Sequence, residues 1–156
     1  MGVSGSGKSS VAKLLAEELS IAFIDADDHH IPSSIEKMSK GVPLTDTDRE
    51  PWLERMNKIA INHLGSGAVI ACSALKKKYR QRLNQRIESN VDWVYLKGDY
   101  DLIFKRMKNR KHHFMDADML TSQFDALEEP EGAIVINIAN SLEGIVENIK
   151  LKLSMD

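Results

Sequence analysis

Cysteine is nearly absent from this sequence: Cys72 stands alone among 156 residues. That excludes an internal disulfide framework and fits a reducing compartment. No apolar run approaches the roughly 20 residues of a membrane helix. Residues 1–10, rich in glycine and serine, lack the apolar core of a signal peptide. A basic surplus is missing too: 21 Lys and Arg face 23 Asp and Glu, which argues against a general nucleic-acid binder. The guanine-reading N-K-x-D is absent, since Asn57-Lys58 continues into Ile59-Ala60. No repeat, low-complexity tract or long linker divides the chain. With 42% hydrophobic and 28% charged residues it can hold one core, so a single cytoplasmic domain over 1–156 is expected, with no nucleic-acid or membrane partner.

What is present alternates. Val11, Leu14, Leu15 and Leu19 form a helical stripe over 7–19, and Ile21–Asp25 reads as a buried strand. Pro32 opens a short helix that Gly41 ends. Thr47 or Asp48 is expected to cap the next, with Pro51 in its first turn and Trp52, Met56, Ile59, Ala60, His63 and Leu64 on its face. Strands are expected at 68–73, 91–96 and 133–138, and helices at 76–87, from Asp99 to about Lys108, around Leu120–Leu127, and from Ser141 onward. Trp52 and Tyr79 read as core aromatics, and Cys72 as a small buried apolar residue. Strands alternating with helices indicate an α/β fold with a parallel sheet covered on both faces.

Gly2-Val3-Ser4-Gly5-Ser6-Gly7-Lys8-Ser9 matches G-x-x-x-x-G-K-[ST]. Glycines let consecutive N–H groups converge on a phosphate, and the helix that follows points its positive end at the anion. Lys8 is placed to bridge the β- and γ-phosphates and Ser9 to ligate Mg²⁺. The chain offers no room ahead of Gly2 for a preceding strand, so the sheet is expected to lack its first strand. The length suits a small kinase.

Asp25-Ala26-Asp27 ends a strand, where open α/β sheets bind ligands. One of these acids can serve the Mg²⁺ shell and the other accept a proton from a substrate hydroxyl. A zinc site has neither the cysteines nor the spacing it needs. Ser73 and Lys76 follow a strand and can meet an anionic or polyhydroxy substrate. Arg106, Arg110, Lys111, His112 and His113 form a basic segment suited to closing over phosphates.

These stretches, with Ile35-Glu36-Lys37-Met38, Gly41-Val42-Pro43-Leu44, Asp48-Arg49, Pro51-Trp52-Leu53, Cys72-Ser73-Ala74-Leu75-Lys76, Tyr79-Arg80, Tyr95-Leu96-Lys97-Gly98, His113-Phe114, Gln123-Phe124 and Leu127-Glu128-Glu129-Pro130, resemble the gluconate kinase family, small P-loop kinases similar to shikimate kinases. The resemblance implies ATP- and Mg²⁺-dependent phosphorylation of D-gluconate at its 6-hydroxyl. It implies a three-layer fold with five parallel strands, a substrate-binding segment at about 28–65, a mobile lid at about 108–128, and a possible homodimer. Asp27 becomes the catalytic base beside Lys8 and Arg110, and Asp25 joins Ser9 in the metal shell. His30, Arg49, Ser73, Lys76 and Arg80 become substrate contacts, and Arg106 and Arg110 reach the phosphates. A guanidinium fits a carboxylate in bidentate fashion, which favours Arg49 for the gluconate carboxylate. The rival readings are a shikimate-type or other small-molecule kinase, and a non-catalytic form lacking the first strand.

Overall fold

The computed structural model describes residues 1–109 and 117–155. In it the apolar stripes become helices and the apolar runs become parallel strands. Helix α1 (Lys8–Leu19) starts directly at the glycine loop, with Gly7 in the left-handed region at φ 93°. It buries Val11, Ala12, Leu15 and Ala16. Strand β1 (Ala22–Asp25) follows and runs into a 3₁₀ turn, Ala26–His29. Helices α2 (Pro32–Ser39) and α3 (Asp46–Asn62) come next, then β2 (Ala68–Ala71) and α4 (Lys77–Leu83). The remainder is β3 (Val94–Lys97), α5 (Tyr100–Lys108), α6 (Ala117–Ala126), β4 (Ile134–Asn137) and α7 (Leu142–Leu153).

Two apolar clusters cover opposite faces of the strands. One joins α1, α5, α6 and α7 through Val11, Leu15, Ile103, Leu120, Val146 and Ile149, with Leu96 and Ile136 pointing down from β3 and β4. The other joins α3 and α4 through Trp52, Leu53, Met56 and Tyr79, with Tyr95 and Cys72 on the strand side. Leu96 and Tyr95 are neighbours in sequence and face opposite clusters, as strand geometry requires. Trp52, Tyr79 and Cys72 are buried, as their positions suggested.

Where the five-stranded sheet of the family without its first strand was expected, the described residues form four strands in two parallel pairs, β1 with β2 and β3 with β4. Met1 and Gly2 lie between the pairs. The Met1 amine donates to Val94 O, Leu96 N–H donates to Met1 O at 3.0 Å, and Gly2 N–H donates to Ser73 O at 3.2 Å.

Several boundaries differ from expectation: β3 starts at Val94 and not at 91, and β2 ends at Ala71 and not at 73. The cap of α3 is Thr45, because Thr45 and Asp48 exchange side-chain and backbone hydrogen bonds in a capping box. Pro51 consequently sits inside the helix, beyond its first turn. Helix α4 stops at Leu83, short of Ile87, where Arg86 adopts φ 71° and Ile87 is buried from a turn.

Candidate active site

The loop forms because its glycines are needed. Gly2 has φ 145°, and a Cβ there would stand 2.9 Å from Leu96 O. Gly5 has φ 82°, and a Cβ would stand 2.7 Å from the Met107 side chain. At Gly7 a Cβ would meet nothing within 4 Å, so the loop faces open space on that side. Lys8 folds back over the loop, its Nζ donating to Val3 O at 3.0 Å. Ser6 is buried with its Oγ unpartnered.

The first acid of the strand end joins the loop: Ser9 Oγ donates to Asp25 Oδ2 at 2.6 Å. The other Asp25 oxygen accepts the Asp27 N–H at 3.1 Å, which caps the 3₁₀ turn and fixes where Asp27 stands. Ser9 and Asp25 therefore present two hard oxygen donors side by side, the kind of set magnesium takes when phosphate oxygens and water complete its shell. No group of three or more His, Cys, Asp or Glu side chains suited to a metal occurs among the described residues.

Asp27 keeps 78% of its side-chain surface accessible. Its pKa is raised, by desolvation in the cleft and by the neighbouring Asp25 charge. With so much surface exposed, we weigh the Asp25 repulsion above desolvation. His30 Nε2 lies 3.9 Å from Asp27 Oδ1. The His30 ring stacks on Trp52 at 4.6 Å between centroids, and Trp52 Nε1 donates to Ala26 O at 2.8 Å, locking the platform. Burial lowers the His30 pKa against the opposing pull of Asp27.

A cationic wall gathers around Tyr79. Arg49, Lys76 and Lys78 each lie within 6 Å of its ring centre. Lys76 Nζ donates to Asp46 Oδ1 at 3.1 Å, and Lys78 and the Tyr79 hydroxyl also donate to this carboxylate. Their hydrogen bonds hold the Asp46 carboxyl far below the usual carboxylate range. Arg49 donates to the carbonyls of Leu44 and Thr45 at the entrance of α3.

Other expected contacts are placed differently. Arg80 is buried, 7% exposed, and its Nη1 donates to Ala74 O at 2.9 Å and Leu75 O at 3.0 Å. Ala74 has φ 45°, a left-handed conformation unusual for a residue with a Cβ. Arg80 thus clamps the strained turn between Ser73 and Lys76, and the structure does not bring its guanidinium to the cleft. Ser73 offers its carbonyl to Gly2. Arg106 Nη2 donates to Ile138 O at the end of β4. Arg110, Lys111, His112 and His113 lie outside the described residues.

Two roles escaped the sequence reading: Asp46 as the shared acceptor of the cationic wall, and Gln123 as a tether of the loop. Gln123 of α6 accepts Ser4 N–H at 2.7 Å and donates from Nε2 to Ser4 Oγ at 3.0 Å, tying α6 to the glycine loop. A lone glutamine among apolar helical positions carries no local signal of this; only its place in the fold does.

A glycine loop opening a helix beside two carboxylates, at the carboxyl end of parallel strands layered between helices, defines a three-layer P-loop kinase. The family model described as shikimate kinase matches residues 4–148. The thermoresistant gluconokinase of Escherichia coli (strain K12) is 46% identical over 152 residues, covering 94% of this chain and 86% of that one. The thermosensitive gluconokinase of the same strain is 42% identical, over 96% and 83%. A solved gluconokinase from Sinorhizobium meliloti 1021 superimposes with a TM-score of 0.92 at 39% identity, covering 99% of this chain and 89% of that one. The chain belongs to the gluconokinase family of shikimate kinase-like P-loop kinases.

Proposed function

We propose that this protein transfers the γ-phosphoryl group of ATP to the 6-hydroxyl of D-gluconate, releasing ADP and 6-phospho-D-gluconate. The observation that carries the reading is the Ser9–Asp25–Asp27 sequence of hydrogen bonds, which sets one carboxylate against the phosphate loop and leaves the next free to face an acceptor. Mg²⁺, when bound, neutralises phosphate charge, and Ser9 and Asp25 would hold it. Asp27 accepts the hydroxyl proton as the oxygen attacks. Lys8 stabilises the charge that spreads over the transferred group. Arg49, Lys76, His30 and Ser73 face the acid and its hydroxyls, with Arg49 best shaped for the carboxylate. Arg80 serves this wall indirectly, by holding the turn that carries Ser73 and Lys76. Arg106 and Arg110 are assigned to the phosphates, within a lid over 108–128 that opposes a substrate segment over 28–65. A cytoplasmic location and a homodimer complete the reading.

The test is an acceptor panel read by coupled ADP release. Turnover with gluconate and Mg·ATP, and none with shikimate or adenylylsulfate, is expected. Turnover with either of those and not with gluconate overturns the assignment. Sedimentation of the purified chain tests the dimer.

A further inference from the structure

Helix α4 begins without a cap of its own: Lys76, at its N-cap, makes no side-chain bond to the first turn. A cap of stability alone can be supplied locally, as Asp99 and Ser141 do for α5 and α7. Here the cap position carries a lysine whose ammonium goes to Asp46 in the cationic wall. The acceptor comes instead from far along the chain. Lys77 N–H donates to Glu128 Oε2 across 51 residues, and Glu128 N–H donates in turn to Leu75 O at 2.9 Å. Glu128 therefore grips the turn between Ser73 and Lys76 from one side, while Arg80 grips Ala74 O and Leu75 O from the other. Ala74, at φ 45°, stays in its strained conformation because the turn is held at both sides.

Glu128 is itself tied to the phosphate loop. Gln123 of α6 bonds Ser4 through both its amide atoms. Helix α6 ends at Ala126, Leu127 N–H closes on Phe124 O at 3.1 Å, and the Leu127 side chain packs against both apolar clusters. Beyond it Lys97 Nζ, at the end of β3, lies 2.6 and 2.9 Å from the two Glu129 oxygens, and the Tyr95 hydroxyl donates to the same carboxylate. The stretch from Gln123 to Glu129 is thus a strap. One end sits on the loop that opens α1, the other on the turn that presents Ser73 and Lys76. A packed helical span moves as a unit and does not stretch, so a shift at the loop is felt at the turn.

We propose that Glu128 is a positioning residue for the acceptor wall, carrying the position of the phosphate loop, through Gln123 and the end of α6, to the turn that holds Ser73 and Lys76. The role rests on the acceptor reading given above for that wall. It makes nucleotide and acid bind cooperatively, because a strap already ordered by the bound nucleotide need not be ordered again by the acid.

Calorimetry on the full chain gives the Kd of gluconate alone and with the non-hydrolysable Mg·AMP-PNP. In the wild type the nucleotide should tighten gluconate by about fivefold or more. In Glu128→Ala that ratio should fall to near one while the Kd of Mg·AMP-PNP alone is unchanged. Glu128→Gln, which keeps an acceptor for Lys77 N–H, should recover most of it. A cap of purely structural worth lowers Tm in Glu128→Ala and leaves the ratio intact, and that result overturns the proposal. Hydrogen exchange reads the strap without any acid present: Mg·AMP-PNP should slow exchange at the Lys77 and Glu128 amides of the wild type, and Gln123→Leu should abolish that slowing. A wild-type ratio near one, or no slowing in the wild type, also overturns the proposal. Slowing by the nucleotide with no binding of gluconate overturns the substrate assignment and upholds the strap.

Discussion

At the scale of single residues the site is a division of labour between two aspartates two positions apart. Asp25 is held by Ser9, while Asp27 keeps an open face and a raised pKa. Asp27→Asn should lower kcat by about 10²–10⁴ with an unchanged Tm, read by coupled ADP release and thermal melting. As the proposed general base Asp27 would work only when ionised, so activity should fall as pH drops through this raised pKa. The acid limb of kcat/KM should therefore lie above that of an ordinary aspartate. In Asp25→Asn the repulsion is gone, and the Asp27 carboxyl resonance should titrate at lower pH by ¹³C NMR; an unmoved resonance would assign the shift to desolvation. Arg80 acts at one remove. Arg80→Met leaves Ala74 O and Leu75 O without their donor, a cost of about 1–3 kcal/mol. Because the turn it holds carries Ser73 and Lys76, the KM for gluconate should rise more than the KM for ATP. The spacing of Arg80 in the helix gave no sign of this inward role, which depends on a backbone turn made six residues earlier.

At the scale of elements, stability at the acceptor side rests on how α3 begins. The Thr45–Asp48 box satisfies N–H groups that the first turn leaves open, so Thr45→Ala should cost about 1 kcal/mol and lower Tm by roughly 2–4 °C in a thermal melt. The Lys37 and Thr45 hydrogen bonds bring the Asp48 pKa down to about 2. A carboxylate with a depressed folded pKa stabilises above its unfolded pKa, so this contribution should vanish as pH falls from about 4 to about 2. The long periodic elements were legible beforehand: the α1 stripe, the Asp99 and Ser141 caps, and the alternation that dictates parallel strands all stand in the structure. The α3 cap was misplaced by two to three residues because Thr47 and Asp48 are equally good local candidates, and only the reciprocal bonds single out Thr45. Motif spacing left open which of the two acids would join the loop; the family resemblance implied Asp25, and Ser9 donates to it. Gln123 was not legible, since its partner is 119 residues away. Gln123→Leu removes both bonds to Ser4 and should lower Tm by roughly 2–4 °C, measured by calorimetry.

At the scale of the whole molecule charge is nearly balanced, yet Arg49, Lys76 and Lys78 gather around Tyr79, a local basic wall of the kind an acid substrate needs on a nearly neutral protein. Cys72 is buried in the cluster that holds Trp52 and Tyr95, with its thiol pushed up to about 11 by burial. As the sole cysteine it is a clock already fitted to the molecule: a thiol reagent can modify it only in the moments when the packing around it opens. The rate of that modification, and its slowing under any binder, measures how often the centre of the protein breathes.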